Sequence, residues 1–475
     1  ITSITMKGST FDLLEFRIMI SHGARMTFDR FSRLASIPAV VFCLLVYTAT
    51  CVQAATITLL RDADIEQGLS RLAAPVLRAA GLNAKRLRIL VVNDSQFNAF
   101  VLDSRAIFIN YGLILKVSSP EMLQAVIAHE AAHITNGHIA RRMQNLQSAG
   151  TAAGLGLALA ALAAAAGAGE AAGGIAIGTQ TSALRGFLSH TRAEESSADR
   201  AAARALIAAG IDPQGLVDLH RIFAGQEVLS LANQDPYMRS HPLSRDRIRA
   251  AEAFVASHGS GTDAAPEADY GLARLRGKLS AFKRSPKWSL RRAKEESHRD
   301  IRLMREAVAH HRRNDLQKAL RGINGALALR PQDAYYHDLK GQILFENRRW
   351  AAARNSFARA VQLAPSDPLV LASYGRAQLA AGAPTAALKT MEKSRSLDFR
   401  NAILLRDMSQ AYAKTGQNGM AALVTAERYA LSGRFEDAGL HAKRAVALLP
   451  RGSATWRRAQ DVLLAYEQIQ KRKRR

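Results

Sequence analysis

The segment His129-Glu130-Ala131-Ala132-His133 places the tightest constraint on how this chain can fold. It lies in a run of apolar residues spaced as on one face of a helix: Met122, Leu123, Val126, Ile127 and Ile134. Ser119 suits the N-cap, and Pro120 suits the first helical turn, where its missing N–H would have no partner. The sequence therefore predicts a helix that starts near Pro120 and carries the segment.

The two histidines of the segment are four residues apart, so on a helix their rings project from one face. Two imidazoles in that arrangement can hold one zinc ion, and the adjacent Glu130 can reach a water molecule at the metal. The alternative is an accidental match on a buried helix, expected in about one or two of a hundred chains of this length. We therefore predict a zinc peptidase site, which needs a third protein ligand.

A second helix is predicted over Leu184 to Ala209, and it carries acidic residues that could complete the site. Glu195 and Asp199 are four residues apart and share one face. Glu195 is the candidate third ligand, and Asp199 is the candidate partner that orients a ligand histidine. Glu194 competes for the ligand role but points elsewhere. A solvated acidic face, paired with neighbouring arginines, is the alternative for the whole set.

His138 is another candidate third ligand, because it follows His133 by five residues. On a continuous helix that offset turns it about 140° away. Gly137 could break the helix, but the metzincin pattern places its glycine three and its histidine six residues after the second ligand. A structural or orienting role therefore suits His138 better.

The N-terminal residues are typical of a leader followed by an export signal. From Met26 onward, basic residues precede an apolar stretch, Ile37 to Tyr47, and small residues allow cleavage before Ala55. A membrane anchor is the alternative, although the stretch is short for a full span. A lipoprotein signal at Cys51 fits its flanking residues poorly. Both cysteines, Cys43 and Cys51, would lie in the signal, so the mature chain needs no disulfide, which a bacterial periplasm tolerates.

The formal net charge is +25, from 65 lysines and arginines against 40 acidic residues. An exported chain rarely meets nucleic acid, so no nucleic-acid partner is expected, and an anionic membrane surface is the better candidate. The basic residues concentrate in Arg274 to Arg313 and in the last five residues, where a solvated face is the default interpretation.

The segment Ser148 to Ser182 consists almost entirely of Ala, Gly and Leu. We expect helices packed over the site, because Ala and Gly gain little from transfer into lipid. A transmembrane span and peripheral membrane contact both stay open as alternatives.

Two buried strands are predicted before the zinc helix, Arg88 to Val92 and Ala106 to Asn110. A helix from Asp62 to Ala80 precedes them. Asn98 to Val101 lies between them and could form an edge strand, to which a peptide substrate could pair through its main chain. An ordinary strand without a ligand is an equal alternative.

The C-terminal part shows a repeat with a period of 34 residues from Leu303 onward. The repeat phase is kept by small, apolar and turn residues: Ala319, Ala353 and Ala387; Ile323, Phe357 and Met391; Gly341 and Gly375; Pro331 and Pro365. A further repeat follows with a shifted register, and a terminal helix from Thr455 caps the array. This is the tetratricopeptide pattern. Such arrays bind extended peptides or proteins in a concave groove, and the alternative is a purely structural or dimerising array. Before it, Ser257 to Tyr270 has the composition of a linker, and Leu272 to Leu290 is basic and amphipathic.

Six segments carry a resemblance to a known family: Leu60 to Glu66, Asn98 to Phe100, Tyr111 to Leu113, His129 to His138, Glu195 to Asp199 and His241-Pro242. In order and character they resemble gluzincin-class zinc metalloproteases related to the CAAX prenyl protease and the heat-shock membrane protease. The chain looks most like their exported bacterial members with C-terminal tetratricopeptide repeats. The resemblance covers roughly residues 58 to 250, with one minor departure at Ala132, where the family often has Gly.

The resemblance implies one zinc ion per chain, held by His129, His133 and Glu195. It implies that Glu130 is the general base and that Asp199 orients a ligand. His241 would lie in a loop near the metal, where it could gate the metal or help hold the developing oxyanion. Similar proteins act in periplasmic quality control, including the degradation of misassembled outer-membrane proteins.

The predicted fold is mainly α: a zincin-type α+β metalloprotease domain with a small sheet, followed by an α-solenoid of tetratricopeptide repeats. Residues 1–54 form the leader and signal, 55–256 the protease domain, 257–300 a linker and basic amphipathic segment, and 301–475 the repeats with a capping helix and basic tail. The predicted function is zinc-dependent cleavage of misfolded or misassembled envelope proteins in the periplasm, with the repeats recruiting substrates or assembly partners. The alternative is a chaperone or scaffold that acts through the repeats, with a latent zinc site.

Overall fold

The computed structural model describes residues 58–148, 190–229, 233–258 and 265–473. All of these residues belong to one compact unit. The predicted leader and signal, and the Ala/Gly-rich segment beyond Ser148, lie outside the described residues. Within the described ranges, no helix is both long and apolar enough to cross a membrane.

Four short strands form one sheet with the order β1-β2-β4-β3. They are β1 (Leu59–Leu60), β2 (Arg88–Val92), β3 (Ala99–Asp103) and β4 (Ala106–Asn110). β2 and β4 pair in parallel, and β3 pairs antiparallel with β4. The two predicted strands are confirmed. The segment after Asn98 is an edge strand, as expected, although it extends two residues further than predicted.

The α-helices described before residue 259 are α1 (Ala63–Ala79), α2 (Tyr111–Lys116), α3 (Pro120–Thr135), α4 (His138–Ser148), α5 (Arg192–Ala208), α6 (Gln214–Phe223), α7 (Pro236–Ser240) and α8 (Arg245–His258). The predicted start of α3 is confirmed, since the Ser119 hydroxyl accepts a hydrogen bond from the Met122 N–H at 3.2 Å. α3 is buried along most of its length and packs against α1, α5 and α6. It ends before Gly137, whose φ of +70° breaks the helix.

The helix predicted over Leu184 to Ala209 begins later than predicted, at Arg192. A capping box fixes this start: the Thr191 hydroxyl accepts from the Glu194 N–H at 3.2 Å, and the Glu194 carboxylate accepts from the Thr191 N–H at 3.0 Å. His190 lies before the helix, and its N–H donates to the Ser240 carbonyl at 2.9 Å. Residues 184–189 lie outside the described ranges.

The segment predicted as a linker, Ser257 to Tyr270, is helical at both of its described ends. Ser257 and His258 end α8, and Pro266 begins α9 (Pro266–Lys283), because proline suits the first helical turn. α9 packs so closely on α1 that a Cβ atom on Gly68 would lie 2.9 Å from Leu275. The basic amphipathic segment, which continues into α10 (Pro286–Ala293), is therefore part of the packed structure.

In the described residues after α10, ten helices follow, each in contact with the next: α11 (Arg299–His311), α12 (Leu316–Leu329), α13 (Ala334–Glu346), α14 (Trp350–Leu363), α15 (Pro368–Ala380), α16 (Pro384–Leu397), α17 (Ala402–Lys414), α18 (Asn418–Leu431), α19 (Phe435–Leu448) and α20 (Ala454–Lys473). A Cβ atom on Gly341 would lie 2.7 Å from Phe357, and one on Gly375 would lie 2.6 Å from Met391. The glycine of one helix thus makes room for the large residue of the next. This packing confirms the predicted phase and the helical repeats.

Ion pairs join the repeats to the first part of the chain. Asp398, at the end of α16, accepts hydrogen bonds from Arg61 at 2.8 Å and from Arg88 at 3.0 Å. Arg274 of α9 donates to Asp333, the N-cap of α13, at 2.5 and 2.9 Å. The array is therefore anchored at two places. The domain boundaries given above stay predictions.

Candidate active site

α3 brings His129, Glu130 and His133 into the interior, where their exposed fractions are 1%, 0% and 0%. The Nε2 atoms of the two histidines lie 3.1 Å apart. This closeness follows from their spacing of about one helical turn, because both rings leave the same face of α3. The structure thus places this pair as the sequence predicts.

Glu195 reaches the same point from α5. Its Oε2 lies 3.3 Å from His129 Nε2, and its Oε1 lies 3.3 Å from His133 Nε2. Ala198 and Ala202 on the same helix are fully buried, and such small side chains allow α5 to approach α3 closely. Donor atoms bound at 2.0–2.1 Å to a tetrahedral zinc ion are themselves about 3.3 Å apart. The two imidazole nitrogens, and the carboxylate oxygen beside each of them, therefore have separations that suit such an ion.

His241 supplies a fourth donor from the loop after α7. Its Nδ1 lies 3.3 Å from His129 Nε2 and 3.1 Å from Glu195 Oε1. Its Nε2 lies 3.3 Å from the carbonyl oxygen of Ala99 in β3. A proton on Nε2 that donates to this carbonyl leaves the Nδ1 lone pair directed at the other donors. Four buried residues thus form a group that could hold one metal ion.

Glu130 lies beside this group. Both of its carboxylate oxygens are buried and have no hydrogen-bond partner among the described residues. Burial raises the pKa of this carboxyl, because the charged form has lost its water. Its Oε1 lies 3.4 Å from His241 Nε2. A buried carboxyl without a partner costs folding free energy, so its placement indicates a chemical role.

A second layer of contacts orients the two histidines of α3. His129 Nδ1 lies 2.9 Å from Asp199 Oδ1, and His133 Nδ1 lies 2.9 Å from His138 Nδ1. A proton on Nδ1 of each ring leaves its Nε2 lone pair free for a metal. His138 reaches this position because the chain turns at Gly137 and starts α4. The angle of about 140° expected for His138 on a continuous helix therefore does not apply.

The carboxylates give the group negative charge. Burial alone would raise the pKa of Glu195, but neighbouring imidazoles and Arg247 hold it well below its usual range. The pKa of Asp199 is also lowered, since Arg247 and His220 outweigh its burial. Burial opposes the charged form of His129, yet Glu195 and Asp199 outweigh it and raise its pKa to about 10. Two ionised carboxylates, Glu195 and Asp199, can thus neutralise the charge of a divalent cation.

Arg247 completes the site, and nothing in the sequence pattern marked it. This arginine of α8 is 4% exposed. Its Nε and Nη2 donate to the two oxygens of Asp199 at 2.6 and 2.9 Å, and its Nη1 donates to the Pro242 carbonyl at 2.8 Å. Nη1 also lies 2.8 Å from Glu195 Oε2. Its only sequence signal is a place in the helix after His241-Pro242, which a solvated arginine would share.

Two other residues lie near the group, Glu194, which points away from it as predicted, and His190. Glu194, the competing ligand candidate, caps α5 and accepts from Arg142 at 3.0 Å. His190, which no motif marked, is buried and stacks on His133 with ring centroids 3.6 Å apart. His190, His133 and His138 form a second histidine group beside the first.

Residues 59–255, which contain the whole donor group, match peptidase family M48. This part of the chain is an M48 peptidase domain. The M48 domain makes the protein a metalloprotease, and tetratricopeptide repeats follow it.

Proteins similar to this chain match either part or most of its length. Over 186 residues the chain is 28% identical to the putative beta-barrel assembly-enhancing protease of Vibrio cholerae serotype O1, covering 39% of this chain and 38% of that protein. Over 391 residues it is 24% identical to the beta-barrel assembly-enhancing protease of Yersinia pestis, covering 81% of this chain and 79% of that protein. A solved structure of MamA (the RS-1 ArsTM double mutant) is 21% identical with a TM-score of 0.30, covering 34% of this chain and 92% of that one.

Proposed function

We propose that the protein is a zinc-dependent endopeptidase and that His129, His133 and Glu195 hold one zinc ion per chain. The convergence of buried donor atoms at separations of 3.1–3.3 Å, beside an unpartnered carboxyl, carries this proposal. The donor set fits the ion, since zinc prefers imidazole nitrogen and carboxylate oxygen in a tetrahedral arrangement. Zinc bound there would supply the Lewis acid that activates water and polarises the scissile carbonyl.

Glu130 is the general base in this proposal. It follows the ligand His129 directly, and its free oxygens lie at the edge of the donor group. It accepts the proton of the attacking water and passes it to the leaving amine. Asp199 holds the ring of His129 through its Nδ1, which keeps Nε2 available as a donor.

His241 closes the site in the conformation described here. Its Nδ1 takes the fourth corner of the donor group, the position that a catalytic zinc site keeps for water. Hydrolysis therefore requires His241 to withdraw. Its withdrawal also frees the Ala99 carbonyl of the edge strand, to which a substrate N–H could then donate. The displaced imidazole N–H is then available to the carbonyl oxygen of the substrate.

We further propose that the substrates are misfolded or misassembled envelope proteins, including outer-membrane proteins. The names of the relatives from Vibrio cholerae and Yersinia pestis support this assignment. The repeats would recruit substrates or assembly partners. We propose a periplasmic location, which the predicted export signal supports. Peripheral membrane contact is compatible with the net charge of +25, and nucleic acid is not a proposed partner.

The test is metal analysis combined with the variant Glu130→Gln. We expect one zinc ion per chain in both proteins, and a fall in casein hydrolysis of about 100- to 10,000-fold in the variant, because only the proton transfer is lost. Glu121→Gln, on the same helix but outside the donor group, is the matched control and should cleave normally. Normal cleavage by Glu130→Gln, or wild-type protein that stays metal-free with excess zinc, would contradict the proposal. Full complementation by Glu130→Gln in cells would favour the scaffold alternative.

A further inference from the structure

We propose that Arg247 is a positioning residue that keeps the His241 loop closed over the donor group. The proposal rests on the zinc site proposed above and concerns its regulation. Arg247 touches neither the Nε2 nor the Nδ1 donors of the histidines. It acts through Asp199, Glu195 and the main chain next to His241.

The contacts of the guanidinium join two separate elements. Two of its N–H groups grip both oxygens of Asp199 on α5, at 2.6 and 2.9 Å. Nη1 donates to the Pro242 carbonyl at 2.8 Å and also lies 2.8 Å from Glu195 Oε2 on α5. Pro242 directly follows His241, so this bond fixes the loop at the residue beside the fourth donor. The planar fork spans both partners at once, which a single ammonium group does not do.

Other contacts also hold the loop, and one of them reaches α5, because His241 Nδ1 itself lies 3.1 Å from Glu195 Oε1. The His241 N–H donates to the Tyr237 carbonyl at 2.7 Å, within the turn itself, and the His190 N–H donates to the Ser240 carbonyl at 2.9 Å. The Tyr237 ring stacks on the His241 ring at 4.7 Å. These contacts shape the loop, whereas Arg247 ties the Pro242 carbonyl of the loop to both Asp199 and Glu195 of α5.

A purely structural role would make Arg247 a counter-charge for two buried carboxylates. Arg247→Lys separates the two roles, because lysine keeps the positive charge near Asp199 but cannot also reach the Pro242 carbonyl. Arg249→Lys is the matched control on the same helix. Arg249 is 75% exposed and contacts Asp246, which is 91% exposed.

The experiment uses the full chain loaded with Co²⁺, whose visible absorption reports the ligands around the metal. Azide is the probe for an open fourth position. We expect Arg247→Lys to bind azide about ten- to a hundred-fold more tightly than wild type, because one charge-assisted hydrogen bond of the closed state is lost. Arg249→Lys should match wild type. His241→Ala should bind azide tightly, and adding Arg247→Lys to it should change nothing further.

Equal azide affinity in wild type and Arg247→Lys would overturn the proposal, as would an additive effect in the His241→Ala background. Failure of the wild-type chain to bind Co²⁺ or Zn²⁺ would instead refute the proposed zinc site.

If Arg247→Lys does not fold, a second variant tests the same contact. Asp199→Asn weakens the bond between Arg247 and Asp199 from the other side, since an amide nitrogen cannot accept from Nε. In metal-free Asp199→Asn, amide hydrogen exchange of residues 238–244 should be faster than in the metal-free wild type. The exchange rates in α12 should be the same in both proteins. Unchanged exchange in that loop would count against the role of Arg247.

Discussion

Replacing Asp398 by asparagine tests how firmly the repeats are anchored to the M48 domain. The Asp398 side chain is 5% exposed and accepts from Arg61, which is 7% exposed, and from Arg88, which is 31% exposed. Asparagine keeps the shape and one acceptor oxygen but removes the negative charge. Two arginines then face each other across a position that no longer neutralises them.

Removing one partner of a buried ion pair costs about 3–5 kcal/mol, because the other charge stays buried without compensation. Two features of the structure reduce this cost. Glu66 lies 2.5 Å from Arg61 Nε and still neutralises it, and Arg88 retains access to water. We therefore expect a loss of about 2–3 kcal/mol in the free energy of unfolding for Asp398→Asn.

The assay is urea unfolding followed by circular dichroism, with limited proteolysis to reveal separation of the repeats. Asp437→Asn is the control within the repeats, since Asp437 pairs with Arg434 and both side chains are about 40% exposed. Such a surface pair contributes about 0–1 kcal/mol. If Asp398→Asn loses no more stability than Asp437→Asn, the interface ion pairs do not anchor the array and the reasoning is wrong.

Three further predictions concern single positions. Burial raises the pKa of Asp338 to about 7, so between pH 4 and pH 7 the unfolded chain loses this proton before the folded chain does, and stability falls as pH rises. Asp338→Asn should therefore raise the free energy of unfolding by up to about 4 kcal/mol at pH 8 and by little at pH 4, as measured by urea titration at each pH. An equal gain at both pH values would refute the raised pKa of Asp338. His138→Leu should weaken zinc binding about 10- to 100-fold in a chelator competition, whereas His138→Asn keeps an acceptor for His133 Nδ1 and should bind nearly as well as wild type. Equal losses in the two variants would exclude the orienting role. A Cβ atom on Gly215 would lie 2.5 Å from the main chain of α3, so Gly215→Ala should cost about 1–3 kcal/mol in thermal unfolding. Gly271→Ala, where the nearest atom lies 3.6 Å away, should be tolerated.

Local patterns in the sequence predicted most of the fold. Ser119 and Pro120 predicted the start of α3, because capping depends on residues within one turn. The 34-residue phase predicted the helical repeats, and the structure shows the same glycine packing in two of them, Gly341 on Phe357 and Gly375 on Met391. The start of α5 could also have been predicted, because Thr191 and Glu194 have the spacing of a capping box. The prediction used only the helical pattern, and it placed the start too early.

In the candidate site, too, local sequence patterns predicted some relations and the tertiary structure set the others. The sequence by itself determined that His129 and His133 share a face, because a helix fixes that relation over one turn. Only the tertiary structure decided that His241 Nδ1 lies beside His129 Nε2 and Glu195 Oε1, and that Arg247 links Asp199 to the neighbouring carbonyl. These contacts join elements far apart in the chain, and a charged residue in a first helical turn gives the same sequence pattern whether it is buried or solvated. Packing against the other helices buries Arg247, and this burial brings it into contact with Asp199 and Pro242.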